Sequence, residues 1–184
     1  PSSSTTDALL QVTQYLYSSI NQKGKFKPHT ATSYNNIGSV YHNKGDYDNA
    51  HDYYNKALDI WKETLPEKHP DIAKSYNNIG SVYEDKRDYD IALDYLQKAL
   101  VIWKETLPEK HPRIAKCYNN IGLAYHNKGD YDNAHDYYEK ALDISKKTLP
   151  EKHPDMATSY NNTESVSGDK GDYDTALDYL QKGT

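Results

Sequence analysis

The sequence predicts an all-α array of antiparallel helix pairs, and three observations carry that prediction. First, one stretch is written four times. SYNNIGSVYHNKGDYDNA at Ser33 returns as SYNNIGSVYEDKRDYDIA at Ser75, CYNNIGLAYHNKGDYDNA at Cys117 and SYNNTESVSGDKGDYDTA at Ser159, each 42 residues after the last. A fixed period of this length marks stacked supersecondary units. Second, each copy holds two runs of helical period. Tyr76, Ile79, Gly80 and Tyr83 recur at i, i+3, i+4 and i+7, and Tyr89, Ala92, Leu96, Ala99 and Trp103 follow at spacings of three and four. Third, a turn separates the runs: Gly45, Gly129 and Gly171 can take the left-handed residue that ends a helix.

Taken in order, the first element is a helix over 6–22 with Leu9, Val12, Leu16 and Ile20 on one side. Ala8 falls in register with Ala50, so this helix reads as a degenerate second helix covering the exposed end of the array. Repeat helices are expected at 28–43, 47–64, 70–85, 89–106, 112–127, 131–148, 154–169 and 173–182. Asp46, Asp88, Asp130 and Asp172 are placed to cap the second helix of each pair. Arg87 stands where the other turns hold Gly, and a positive φ there costs about 1 kcal/mol. The second helices stop before Leu65-Pro66, Leu107-Pro108 and Leu149-Pro150, because proline lacks an N–H and restricts the residue before it. The next helices open at Pro70, Pro112 and Pro154, where a missing N–H costs nothing, with Asp71 and Asp155 favourably placed in the first turn.

This gives one repeat domain over 1–184: a capping helix in 1–27, full repeats at 28–69, 70–111 and 112–153, and a truncated, degenerate repeat at 154–184. In the last copy Thr163, Glu164 and Ser167 replace Ile79, Gly80 and Tyr83, so that pair is expected to be the least stable. Copies one and three share HNKGDYDNAHDYY, while two and four share DYLQK, which implies duplication of a two-repeat block. No pair can bury its apolar stripe alone, so stacking makes the core. Gly38, Gly80 and Gly122 are expected to admit a neighbouring ring, and Ala50, Ala92 and Ala134 to let the second helix approach.

Composition excludes several classes. Leu, Ile, Val and Phe make up only about 16% of the chain, a level typical of disorder. The 19 Tyr outweigh that shortage, because each ring buries a large apolar body while its hydroxyl stays wet or bonded. Net charge is −5 with no Lys/Arg run, which argues against nucleic acid. No apolar run approaches the length of a membrane span. PSSSTTDALL lacks the form of a signal peptide, and Cys117 is alone, so a cytoplasmic location is expected and the sequon at Asn161 reads as incidental.

These residues resemble the tetratricopeptide repeat, whose roughly 34-residue pattern runs W-x2-L-G-x2-Y, then Ala, an aromatic and Ala. Tyr76, Ile79, Gly80 and Tyr83 stand in its first part; Ala92, Leu96 and Ala99 stand twelve, sixteen and nineteen residues after Gly80. The extra residues around LPEKHPDI resemble the 42-residue variety of kinesin light chains, in which such domains engage cargo. The resemblance covers residues 28 to 182 and implies a right-handed superhelix with a concave groove lined by the first helices. It implies an interaction scaffold or adaptor that binds a peptide or disordered segment of another protein. No heptad stretch for pairing with a motor's coiled coil is present.

With Tyr76, Ile79 and Tyr83 facing the core, a turn of about 100° per residue puts Asn77 and Ser81 on the opposite face, near Lys74 and Glu84. The resemblance makes this a ligand ladder of Asn35, Asn77, Asn119 and Asn161, flanked by Ser39, Ser81 and Leu123. Asn amides donate to and accept from a peptide backbone without reading its sequence. Lys74 and Lys116 would favour an acidic ligand. Asn36, Asn78 and Asn120 have two open readings: ligand contact, or a bond to an adjacent helix that orders the stack.

Other chemistries fare worse. His69, His111 and His153 lie one per repeat; His42 with His51, and His126 with His135, could approach across a turn, but nothing completes a tetrahedral metal set, so they read as solvated surface histidines. The Asp-Tyr-Asp segments lack a calcium loop's alternating ligands. No nucleophile–base constellation or phosphate loop offers a catalytic site, and no cofactor or metal is expected. The rival to a peptide scaffold is an array that stacks end to end through a face holding Leu177 and Leu180.

Overall fold

The computed structural model describes residues 27–150, 153–169, 171 and 181. The helix expected at 6–22, nearly all of that at 173–182, and the end-face residues Leu177 and Leu180 lie outside them. Helix α1 is described over 27–43. It is followed by α2 (Tyr47–Thr64), α3 (Pro70–Asp85), α4 (Tyr89–Thr106), α5 (Pro112–Lys128), α6 (Tyr131–Thr148) and α7 (Pro154–Asp169). Only α5 runs past its expected end, by one residue. The helices pair as α1/α2, where Gly38 meets Tyr54 and Tyr41 meets Tyr53, and as α3/α4 and α5/α6, and the pairs stack through α2 on α3, α4 on α5 and α6 on α7 into a right-handed solenoid.

Local chemistry sets the boundaries. Gly45, Gly129 and Gly171 have φ of 75°, 85° and 83°, and Arg87 adopts φ 65° without glycine's freedom. The Asp46 carboxylate accepts from Asn49 N at 3.3 Å and from the Asn49 side-chain amide at 2.8 Å, and Asp130 does the same with Asn133. Asp88 makes no side-chain cap bond, against expectation, because Ile91 stands where those turns carry the steadying asparagine. His69 and His111 are not idle surface residues: each is an N-cap whose Nδ1 accepts a backbone N–H, from Asp71 at 3.2 Å and from Arg113 at 3.1 Å.

Packing follows the large-against-small logic. A Cβ on Gly122 would lie 2.7 Å from Tyr138 Cδ1, and one on Gly80 2.8 Å from Leu96 Cγ, so hydrogen at these positions is what lets the paired helix close. Each described pair also holds a tyrosine trio. Tyr41 stacks on Tyr53 at 5.4 Å, Tyr83 on Tyr95 at 5.7 Å and Tyr125 on Tyr137 at 5.6 Å, with Tyr34, Tyr76 and Tyr118 tilted against the same rings. Lys56, Lys98 and Lys140 lie over Tyr53, Tyr95 and Tyr137. Aromatic area thus replaces missing aliphatic area.

Helix α3 shows how the stack shapes a surface. It touches α2, α4 and α5, so burial extends around most of its circumference: Ile72, Ala73, Ser75, Asn77, Ile79, Gly80 and Val82 are all buried. What stays open is a stripe at i, i+4, i+7 and i+11: Lys74, Asn78, Ser81 and Asp85. In α1, Ile37 and Val40 are exposed where their counterparts Ile79 and Val82 are not.

Candidate functional site

The open stripe repeats along the array. It runs through Thr32, Asn36, Ser39 and Asn43 in α1, through Lys116, Asn120, Leu123 and Asn127 in α5, and through Thr158, Asn162, Ser165 and Asp169 in α7. Of the residues singled out from sequence, Ser39, Ser81, Leu123, Lys74, Lys116, Asn36, Asn78 and Asn120 lie on it. Asn35 and Asn77 do not: each is only 6% exposed. The helical wheel misplaced them because it assumed one neighbour, whereas a first helix within the stack has several: α3 packs against α2, α4 and α5, and α5 against α3, α4, α6 and α7.

The asparagines instead bond to one another between repeats. Asn78 Nδ2 donates to Asn35 Oδ1 at 2.9 Å, and Asn120 Nδ2 donates to Asn77 Oδ1 at 3.1 Å and, more weakly, to Ser81 Oγ at 3.5 Å. At these two junctions Asn35 and Asn77 are buried acceptors, and Asn78 and Asn120 are half-buried donors whose carbonyls stay free on the open stripe. The series breaks at the next step. Asn119 Oδ1 is buried and accepts no hydrogen bond, and Asn161 is exposed.

A second ladder, at the C-terminal ends of the first helices, lies outside the sequence-based expectations. His42 Nε2 meets Asp85 Oδ2 at 2.5 Å, the Asn127 amide donates to Glu84 Oε1 at 2.5 Å, and His126 Nε2 meets Asp169 Oδ2 at 2.6 Å. Its signal is present in sequence as the alternation His-Asn, Glu-Asp, His-Asn at 42–43, 84–85 and 126–127, which pairs complementary groups across each junction. His51 engages Asn55 and the Tyr83 hydroxyl rather than His42. Further out, Lys86 reaches Asp48 at 2.8 Å and Lys128 reaches Asp90 at 2.6 Å. Burial raises the Glu84 carboxyl above its ordinary range, against the opposing pull of the Asn127 amide.

The stripe deepens between α5, α6 and α7 into a cleft of about 400 Å³. It gathers Lys116, Asn119, Asn120 and Leu123 with Ser145 and Asn162. Lys116 is the only charged residue lining it, and neither Lys74 nor Lys116 forms an ion pair among the described residues. No cluster of three or more His, Cys, Asp or Glu suited to a metal occurs among the described residues. Burial pushes the Cys117 thiol up to about 12, so it stays protonated and unreactive. No described helix is long and apolar enough to cross a membrane.

Comparison with known proteins supports the architecture. The chain is similar to BtubC (BKLC) of P. vanneervenii, with a TM-score of 0.77 and 26% identity over 83% of this chain and 61% of that one. It is similar in fold to a putative kinesin light chain of Podosopora anserina with nearly identical TPR-like repeats, with a TM-score of 0.77, 22% identity and coverage of 85% and 74%. RapI in its apo form matches at a TM-score of 0.75 and 26% identity, over 85% of this chain and 55% of that one. The chain therefore spans about three fifths of BtubC and just over half of RapI. A comparison with curated protein sequences finds no relative. The tetratricopeptide repeat family model matches at 20–63, 29–105, 71–147 and 118–184. Because those spans together take in the whole repeating part of the sequence, the protein belongs to the tetratricopeptide repeat family, in the 42-residue variety that resembles kinesin light chain repeats.

Proposed function

We propose that the protein is a protein–protein interaction scaffold, without a catalytic role, that binds an extended segment of a partner along the stripe of its first helices. The observation that carries this reading is the row Asn36, Asn78 and Asn120, spaced one repeat apart on the open stripe, with Asn78 and Asn120 each anchored from beneath by a buried asparagine. Amide groups fixed in this way can pair with a peptide backbone without first losing side-chain freedom. Ser39, Ser81 and Leu123 line the stripe beside them. Lys74 and Lys116, which form no ion pair among the described residues, favour a segment with acidic residues. Asn35 and Asn77 serve as the supports, and Asn119 contributes directly to the cleft.

The test is selection from a displayed peptide library with wild type and with a Ser39→Arg, Ser81→Arg, Leu123→Arg variant. These changes block the stripe with long side chains and leave the Asn78–Asn35 and Asn120–Asn77 bonds in place, losing only the weaker Asn120–Ser81 contact. With helical signal and melting temperature matched, enrichment by wild type alone supports the reading. Equal enrichment by both proteins, or none, overturns it, and a mass that rises with concentration would then favour the end-to-end array.

A further inference from the structure

Helix α4 and the turn before it break three local rules that α2 and α6 keep. Arg87 takes φ 65° where Gly45 and Gly129 turn the chain at no steric cost. Ile91 stands where Asn49 and Asn133 secure the capping aspartate, and Asp88 makes no side-chain cap bond. Ile91 and Val101 are 45% and 47% exposed, at positions where α2 carries Asn49 and Asp59 and α6 carries Asn133 and Asp143. Each departure costs the isolated chain stability, and losses without a local gain point to a surface kept for another purpose. At about 100° per residue, Ile91, Asp94, Lys98, Val101 and Glu105 fall within an arc of about 80°, and all five are exposed. None of them lies on the first-helix stripe or lines the cleft between α5, α6 and α7.

We propose that this face of α4 docks on the same face of a second copy of the chain, forming a two-fold dimer in which the two α4 helices run antiparallel. The order of residues carries the choice of occupant, because it is self-complementary about residue 96. Ile91 and Val101 stand five residues either side of it, Asp94 and Lys98 two, and Arg87 and Glu105 nine. An antiparallel pair sets each residue against its mirror position, as a two-fold contact requires. Ile91 then meets Val101 of the second copy, and each loses its exposure to water. Asp94 and Lys98, paired at 2.5 Å within the helix, face Lys98 and Asp94 of the second copy and close a ring of four charges. Arg87 forms no ion pair among the described residues. In the dimer it reaches Glu105 of the second copy, at a helix C-terminus where a cation is favoured. Glu105 already holds Lys68 at 2.8 Å through Oε2, and a carboxylate has a second oxygen for the arginine. Beside Val101 a groove of about 360 Å³, with Tyr76 and Ile102 in its wall, receives Ile91 of the second copy. At the matching positions α2 and α6 offer no apolar contact and no arginine, so the contact belongs to α4 and is not shared by every repeat.

The test is sedimentation equilibrium of the full chain from micromolar to millimolar concentration, since a contact through one helix face is at the small end of specific interfaces. Wild type is expected to rise from one chain mass to two and stop there, whereas end-to-end stacking keeps growing. Val101→Asp and Ile91→Asn install what the neighbouring repeats already carry, so the fold tolerates them. Each is expected to weaken association at least about tenfold with helical signal unchanged. Asp94→Lys or Lys98→Asp alone sets like charges against each other and should weaken it too, and the variant carrying both should recover it. A mixture of Ile91→Cys and Val101→Cys chains should cross-link into a dimer on mild oxidation, which either variant alone does not; Cys117 is buried and takes no part. The proposal is overturned if wild type stays at one chain mass, if growth runs past two chains, if Val101→Asp associates as wild type does, or if the exchanged charges do not recover the dimer. None of these outcomes touches the groove reading, whose library selection uses the first helices alone.

Discussion

The bond between Asn78 and Asn35 offers the sharpest test of how the repeats hold together. Asn78→Ala leaves the Asn35 carbonyl, 6% exposed, without its 2.9 Å donor. A buried acceptor left unsatisfied costs about 1–3 kcal/mol, and alanine returns roughly 0.5 kcal/mol of helix propensity, so a net loss of about 0.5–2.5 kcal/mol is expected. Asn35→Ala is milder. It strips the acceptor from an Asn78 amide that is half-exposed and can turn to water, so about 0.5–1.5 kcal/mol is at stake before the propensity gain. With both residues removed, neither side is left unsatisfied, and the double variant should lose less than the sum of the singles. The propensity contributions cancel in the cycle, leaving a coupling of about 0.5–1.5 kcal/mol, the size of one net hydrogen bond. The assay is urea unfolding of all four proteins followed by far-ultraviolet circular dichroism. The bond joins two repeats, so the loss should fall on the contact between neighbours rather than on either repeat's own stability. Additivity within about 0.3 kcal/mol would refute the claim that the asparagine pairs order the stack.

Three further outcomes follow from the same geometry. Gly122→Ala places a methyl 2.7 Å from the Tyr138 ring, so overpacking of about 1–3 kcal/mol should exceed the roughly 1 kcal/mol helix gain; a thermal melt at or above wild type would contradict that packing. Arg87→Gly relieves a left-handed residue and should stabilise by about 1 kcal/mol, or roughly 2–4 °C in melting temperature; an unchanged or lower value would show that the arginine conformation is not strained. For Glu84 the folded carboxyl is raised above its ordinary value of 4.5, so the folded state takes up its proton more readily than the unfolded chain, and stability rises as pH falls through the folded value. The advantage of Glu84→Gln over wild type should thus be full and constant above the folded value and shrink as pH drops toward 4.5; a difference that ignores pH would rule out burial as the cause.

Some of this was legible in one dimension. The 42-residue return, the two helical runs and the Pro and Gly punctuation located α2, α3, α4, α6 and α7 at their observed bounds, because each boundary is decided by two or three adjacent residues. The positive φ at Arg87 was equally local, since only its backbone can close that turn. The site was harder. Ser81, Lys74 and Leu123 fell on the open stripe as expected, but Asn77 did not, because a wheel reports direction and not how many neighbours a helix has. The capping histidines and the missing Asp88 bond depended on side-chain reach of about 3 Å, which residue types leave undecided.

By itself, then, the sequence determined the repeat and the helix pair within it, because those follow from short-range backbone chemistry copied four times over; the hand of the stack came only with the resemblance to the tetratricopeptide repeat. Tertiary structure alone decided that Asn35 and Asn77 are buried while Asn36 and Asn78 lie on the open stripe. It also decided where the stack stays open. Such outcomes turn on packing between residues a whole repeat apart, where a shift of an ångström makes or breaks a contact.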